Sequence, residues 1–247
     1  MKILFLGYDN CKLLSFLKSK YDTFQTSSKI KLQEVVEFDW IISFGYKHII
    51  TEDIINHFKS NIVNLHISYL LYNRGMHPNF WSFRDGTPKG VTIHQIDKGL
   101  DTGDIVIQKE VIFKKEQDTL KSTYEVLIEE IQNLFIENYK AIFNKTIKTY
   151  PQVGQGTFHY GKEIEKYKDL LTENWNTKII KIMSKRTDLE IIEEVQQIRS
   201  KNNVNWMDIL RLAFKHAPDE ARELMGRVND YDGKISTLLK ELSENKD

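Results

Sequence analysis

At 247 residues, 40% of them hydrophobic, the chain is long enough to bury a real core, and complete disorder is excluded. Its 35 basic and 35 acidic residues cancel, so no global positive field gathers nucleic acid or anionic lipid. The single cysteine, Cys11, cannot close an internal disulfide, no apolar run approaches a membrane span, and no leader pattern precedes Met1, so a soluble cytoplasmic protein is expected.

Lys2 to Leu6 is the expected first strand, and Gly7-Tyr8-Asp9-Asn10 turns into a helix over about 11–20, capped by Asp9 or Asn10. Trp40 to Phe44 is a second apolar run, Thr51-Glu52-Asp53 opens a short helix ending near Lys59, and Ile62 to Leu65 is a short buried strand. Alternating strands and helices predict an α/β fold, a mainly parallel sheet with helices packed on it. Its ligands gather at the carboxyl ends of the strands, here Gly7-Tyr8, Phe44-Gly45-Tyr46 and His66-Ile67-Ser68. The first of these turns lacks GxGxxG, so a dinucleotide cofactor is not supported.

Farther along, Asn73-Arg74-Gly75-Met76-His77-Pro78-Asn79 has the composition of a loop. Pro78 or Asn79 starts a helix through Phe83, which Asp85-Gly86-Thr87-Pro88 breaks. Val91 to Ile96 alternates as a strand, Ile105 to Ile107 begins another, and the turn between them carries Asp101. A long amphipathic helix is expected over 119–144, and the Gly/Pro-containing stretch 150–157 reads as a linker marking the end of the core. The remainder reads as helices at Leu189 to Ile198, Trp206 to Phe214 and Asp219 to Leu242, with Pro218 at a helix start. The expected organisation is a core over 1–150, a linker and core-packing segment over 151–186, and a smaller, mostly helical extension over 187–247.

Asn64 and His66 lie two residues apart on one strand and therefore project from the same side of its end. Together they offer an amide donor and an imidazole base to one reacting centre. Alone, such a pair more often satisfies a strand end, and Asp101-Thr102-Gly103-Asp104 alone is a turn. His48, His57, His77, His94, His159 and His216 read as structural or exposed. The histidines lack ligand spacing such as HExxH, so no metal is expected.

In order and separation, Asn64-Leu65-His66-Ile67-Ser68, Asn73-Arg74-Gly75, Gly90-Val91-Thr92-Ile93-His94 and Leu100-Asp101-Thr102-Gly103-Asp104 resemble the signature of the 10-formyltetrahydrofolate-dependent formyltransferases. The sugar N-formyltransferases are the branch that the 73–81 loop resembles most. The likeness extends upstream to 43–50 and 5–9, about the first half of the chain. It implies a Rossmann-like core in which Asn64, His66 and Asp101 are the catalytic trio. By the same likeness, Phe44, Gly45, Tyr46, Asp97, Gly99 and Leu100 contact the folate co-substrate. Tyr8, Asn73, Arg74, Gly75 and Asn79 contact the acceptor, with the Arg74 fork meeting a phosphate.

The implied reaction passes a formyl group from 10-formyltetrahydrofolate to the amine of a nucleotide-linked amino sugar. The expected acceptor is dTDP-linked, for example dTDP-4-amino-4,6-dideoxyglucose, with a product used in bacterial O-antigen or another surface polysaccharide. A homodimer is expected by analogy, with no nucleic-acid or membrane partner. Leu71 departs from the family, which usually has proline there. Two other readings are another acceptor, methionyl-tRNA or glycinamide ribonucleotide, and a non-catalytic nucleotide-sugar binding protein. A tRNA enzyme calls for a basic surface, yet residues 187–247 hold more acids than bases.

Overall fold

The computed structural model describes residues 1–113, 118–183 and 208–244. The chain divides into a compact unit over Met1–Ser184 and a second over Lys185–Asp247. The first unit opens as β1 (Lys2–Gly7), α1 (Lys12–Lys20), β2 (Asp22–Thr26), α2 (Leu32–Val35), β3 (Trp40–Phe44), α3 (Glu52–Phe58) and β4 (Ile62–His66). It continues through β5 (Arg74–Gly75), α4 (Pro78–Arg84), β6 (Gly90–Gln95), β7 (Ile105–Glu110), α5 (Leu120–Phe143), β8 (Phe158–His159) and α6 (Ile179–Ile182). Six strands form one sheet in the order β2-β1-β3-β4-β6-β7. The first four are parallel, and β6 and β7 are added antiparallel.

The central strands are buried on both faces, which is why they appear in the sequence as unbroken apolar runs. Ile3, Phe5, Ile42, Val63 and Leu65 pack on one face with α1 and α5, while Leu4, Leu6, Ile41 and Ile62 pack on the other with α2 and α3. α5 begins at Thr119, whose Oγ1 accepts the Ser122 N–H at 3.1 Å, and its buried stripe includes Leu127, Ile131 and Phe135. An α/β architecture with a mainly parallel sheet is thus what the sequence specifies.

Several local expectations are corrected. Cys11, not Asp9 or Asn10, is the N-cap residue of α1, and no side chain caps that helix. Strand β2 was not expected; it is an edge strand paired only with β1, so Asp22-Thr23-Phe24-Gln25-Thr26 need not show an apolar run. The 150–157 stretch is not where the core ends. Tyr150 exchanges both backbone hydrogen bonds with Ile105, at 2.8 and 3.1 Å, and β8 then pairs parallel with β5.

In the second unit, residues 208–216 are helical and α7 (Pro218–Glu244) begins at the expected proline. The expected helix Leu189 to Ile198, and Trp206 and Met207 of the next, lie outside the described residues. No helix among the described residues is long and apolar enough to cross a membrane.

Candidate active site

The parallel register brings the carboxyl ends of β1, β3 and β4 to one edge of the sheet, where ligands of open α/β sheets bind. At the end of β4, Asn64 and His66 share a side, and the antiparallel partner of Asn64 is His94 on β6. The 96–104 segment folds over them and delivers Asp101. That residue has φ 54°, a left-handed conformation in which aspartate is tolerated better than most residues. Gly103 permits the fold-over, since a Cβ there would sit 1.9 Å from the Gln95 carbonyl oxygen.

The result is a tight polar cluster. Asn64 Nδ2 donates to Asp101 Oδ1 at 3.2 Å and lies 3.2 Å from His94 Nε2. The Gly75 N–H donates to Asp101 Oδ2 at 2.9 Å. His66 Nε2 is 3.7 Å from Asp101 Oδ2 and 3.3 Å from the Asn73 carbonyl oxygen. His94 Nδ1 lies 2.7 Å from the Gln95 carbonyl oxygen, an acceptor only, so Nδ1 carries a proton, while Nε2 lies 3.4 Å from Asp101 Oδ1. The same logic puts the proton of neutral His66 on Nε2 and leaves the lone pair on Nδ1.

Burial alone would raise the Asp101 carboxyl, but His66, His94 and the Gly75 N–H outweigh it and hold the group well below the usual carboxylate range. His66 moves the other way from a paired imidazole. Its burial lowers the pKa, Asp101 opposes that, and His94 adds to it, so the ring is neutral and basic at neutral pH. An ionised carboxylate beside a neutral buried imidazole is the arrangement that lets the ring take a proton and keep it stabilised.

These shifts predict a pH dependence. Below about 6.5, the ordinary histidine value, the unfolded chain binds a proton at His66 that the folded chain refuses, so stability falls as the pH drops. Asp101 adds a second loss at lower pH, as the unfolded carboxylate protonates near about 3.9 and the folded one does not. Denaturant titrations from neutral to acid pH check both. For activity, the acid limb of kcat/KM should lie below 6.5 because burial holds His66 unprotonated there.

The other expected contacts divide. Tyr8 follows β1, its hydroxyl 2.7 Å from that of Tyr124, and its ring meets Phe44 edge-on. Lys98 in the Asp97-Gly99-Leu100 turn pairs with Glu52, the first residue of α3, at 2.6 Å. Asp97 Oδ1 accepts from the Gly99 N–H and the Thr102 hydroxyl, shaping that turn and leaving Leu100 exposed. The Phe44 side chain is in the core, 2% exposed, and its carbonyl accepts the Tyr8 N–H.

Two residues expected on the acceptor side lie inside. Asn79 is buried, and its amide donates to the Leu120 carbonyl and Thr123 Oγ1, so it joins α4 to α5. Asn73 is 1% exposed; its side chain is tied to Thr87 and Thr157, and its carbonyl faces His66 and fixes that ring. Gly75 likewise acts through its N–H on Asp101. Leu71 sits after a cis peptide bond, Leu70–Leu71. Arg74 donates from Nε and Nη2 to Gln152 Oε1, at 3.1 and 2.7 Å, and among the described residues no carboxylate lies within ion-pair reach. Its charge is therefore available to an anion.

His94 and Gln152 are site residues that sequence reasoning missed. For His94 the period of two fixes only its face of β6, not the strand that face meets. Gln152 had no signal: it lies in the stretch taken for a linker. Its Nε2 donates to the carbonyls of Asp101 and Gly103, at 2.9 and 2.8 Å, while its Oε1 receives Arg74. Gln152→Ala frees two carbonyls and one guanidinium, and the expected loss in kcat/KM is about tenfold, as for a partial loss of positioning. A Gln152→Ala enzyme with wild-type kcat and KM would sink that role.

Among the described residues no group of His, Cys, Asp and Glu side chains is placed to hold a metal ion. The family model described as Formyl transferase matches residues 16–138. The formyltransferase PseJ from Anoxybacillus kamchatkensis, solved with UDP-4,6-dideoxy-4-formamido-L-AltNAc and tetrahydrofolate, is 45% identical with a TM-score of 0.71. The match covers 74% of this chain and 97% of that one. A dTDP-4-amino-4,6-dideoxyglucose formyltransferase of Mycobacterium bovis is 31% identical over 57% of this chain, and a methionyl-tRNA formyltransferase of Thermodesulfovibrio yellowstonii 32% identical over 68%. The chain spans 59% and 51% of those two curated relatives. The Asn64, His66 and Asp101 cluster at the end of β4 and a 45% identity across nearly the whole of a solved formyltransferase agree, and the chain belongs to the formyltransferase family.

Proposed function

We propose that the protein transfers a formyl group from 10-formyltetrahydrofolate to the amine of a nucleotide-linked amino sugar. The observation that carries this is the convergence of Asn64, His66 and Asp101 on one site. The amine nitrogen attacks the formyl carbon, giving a tetrahedral intermediate with a negatively charged oxygen. Asn64 Nδ2, fixed by Asp101 and His94, is the donor that exchanges one of those bonds for the oxyanion. His66 accepts the amine proton at Nδ1, and its Nε2–H stays directed at the Asn73 carbonyl and Asp101. Collapse breaks the bond from the formyl carbon to the folate nitrogen, His66 returns the proton to that nitrogen, and tetrahydrofolate and a formamide leave.

The folate ring would lie over the Gly45-Tyr46 segment against the Leu100 turn, and Arg74 would take a phosphate of the nucleotide. The amine is placed at C4 of a 4,6-dideoxy sugar, the pattern shared by the names of the A. kamchatkensis ligand and the M. bovis substrate. A UDP-linked sugar is the first reading because the likeness to the A. kamchatkensis protein is greater and more complete; a dTDP-linked one is the second. The product is a formamido sugar suited to a bacterial surface polysaccharide, made by a cytoplasmic homodimer.

The test is an assay of the purified chain with 10-formyltetrahydrofolate and UDP- and dTDP-linked 3-amino and 4-amino sugars, with methionyl-tRNA as a further arm. Mass spectrometry should show the formyl group on one 4-amino sugar. Turnover on methionyl-tRNA alone would transfer the reading to that acceptor, and folate binding without turnover on any arm would leave a binding protein.

A further inference from the structure

Along α7, apolar residues recur at alternating steps of three and four, the 3.5-residue period of a coiled-coil seam. Ala221, Val228 and Ile235 fall at the a positions of this heptad, and Leu224, Tyr231 and Leu238 at the d positions. In the sequence, Leu242 continues the series at the next a position. Ala221 is buried and Val228 half-buried, but from Leu224 the large side chains of the line are open: Leu224, Tyr231, Ile235 and Leu238 are 51%, 64%, 52% and 59% exposed. Scattered surface leucines need no explanation, but four large apolar side chains in one helical line do.

The opposite side of the helix has a different character. Gly226 and Gly233 both occupy the f position, farthest from the seam, and a Cβ at either would meet nothing within 4 Å. Each interior glycine weakens a helix relative to alanine, so propensity does not hold α7 together. A helix of this kind depends on covering its apolar face.

We propose that α7 pairs with α7 of a second copy of this chain in a parallel, two-stranded coiled coil. Val228 and Ile235 at a with Leu224 and Leu238 at d is the combination that favours two parallel strands. The flanking charges agree. In a parallel pair, Arg227 at g reaches Asp232 at the following e position of the other helix, twice by symmetry, and among the described ion pairs neither residue has a partner in its own chain. An antiparallel pair would set g against g, and Arg227 and Lys234 would then confront each other across the seam.

Sedimentation velocity of the full chain over a concentration series should give twice the 29.1 kDa monomer mass, and Ile235→Asp should return the monomer with its formyl-transfer site intact. Arg227→Asp and Asp232→Arg should each weaken the dimer about tenfold, and the two combined should restore it. In a Cys11→Ser background, Leu224→Cys and Leu238→Cys should each cross-link to the same position of the other copy on mild oxidation. A monomeric full chain, or a dimer indifferent to Ile235→Asp, overturns the pairing. A dimer in which neither cysteine links to itself overturns the parallel orientation. The cross-links and the charge exchange decide the matter even if Ile235→Asp disturbs the helix.

Discussion

His66→Asn should lower kcat/KM for formyl transfer by about 10²- to 10⁴-fold, the range lost when a positioned general base is removed. The asparagine keeps a polar side chain of similar reach at the end of β4 but has no lone-pair nitrogen able to take the amine proton. The base acts in the transition state, so kcat and kcat/KM should fall together while KM for the folate changes little. The acid limb of the pH–rate profile, set in the parent protein by a ring whose burial lowers its pKa, should disappear with the ring. His66 is 8% exposed and faces a carbonyl and a carboxylate, so this test reads chemistry against a fixed framework. A variant with parental rate and an unaltered acid limb would show that another group removes the proton.

Much of this site was legible because it is built on a short strand. Ile62 and Val63 mark β4 as buried, and the period of two then places Asn64 and His66 on one side without further information. The helices announced themselves through Pro78 at the start of α4 and the apolar stripe of α5. Neither signal reaches across strands. His94 faces Asn64 only because β6 runs antiparallel to β4 in a particular register, and nothing in residues 90–95 states which strand they join. Edge strand β2 is legible only through its pairing with β1.

Burial was the other hidden quantity. Asn73 and Asn79 look in sequence like two polar residues of a binding loop, and both are instead inside, holding Thr157 and α5 respectively. Gln152 errs in the opposite sense. A glutamine between a proline and a glycine belongs, by composition, to a linker, yet its amide ties Arg74 to the carbonyls flanking the Asp101 turn. Composition reports what a segment can do alone. The Tyr150–Ile105 bridge, which turns the segment back onto the core, is a tertiary event.

Asp101→Asn is the second large effect, and the reason lies in counting donors. Oδ2 receives the Gly75 N–H and Oδ1 receives Asn64 Nδ2, while both histidines point a ring nitrogen at the group. An asparagine presents one oxygen and one NH₂, so whichever way it is turned, one former partner meets a donor where it needs an acceptor. Leaving a buried donor unsatisfied costs about 1–3 kcal/mol, which a denaturation midpoint will register. The catalytic loss should be larger, about 10³- to 10⁴-fold in kcat, as when the carboxylate of a triad becomes an amide. Without the negative charge the protonated form of His66 loses its stabilising neighbour, and the amide orientation of Asn64 loses one of its two anchors. Asp101→Asn should therefore impair base and donor at once, and combining it with Asn64→Ala should cost far less than the product of the two single losses. Independent, multiplying losses would mean that Asp101 serves His66 alone.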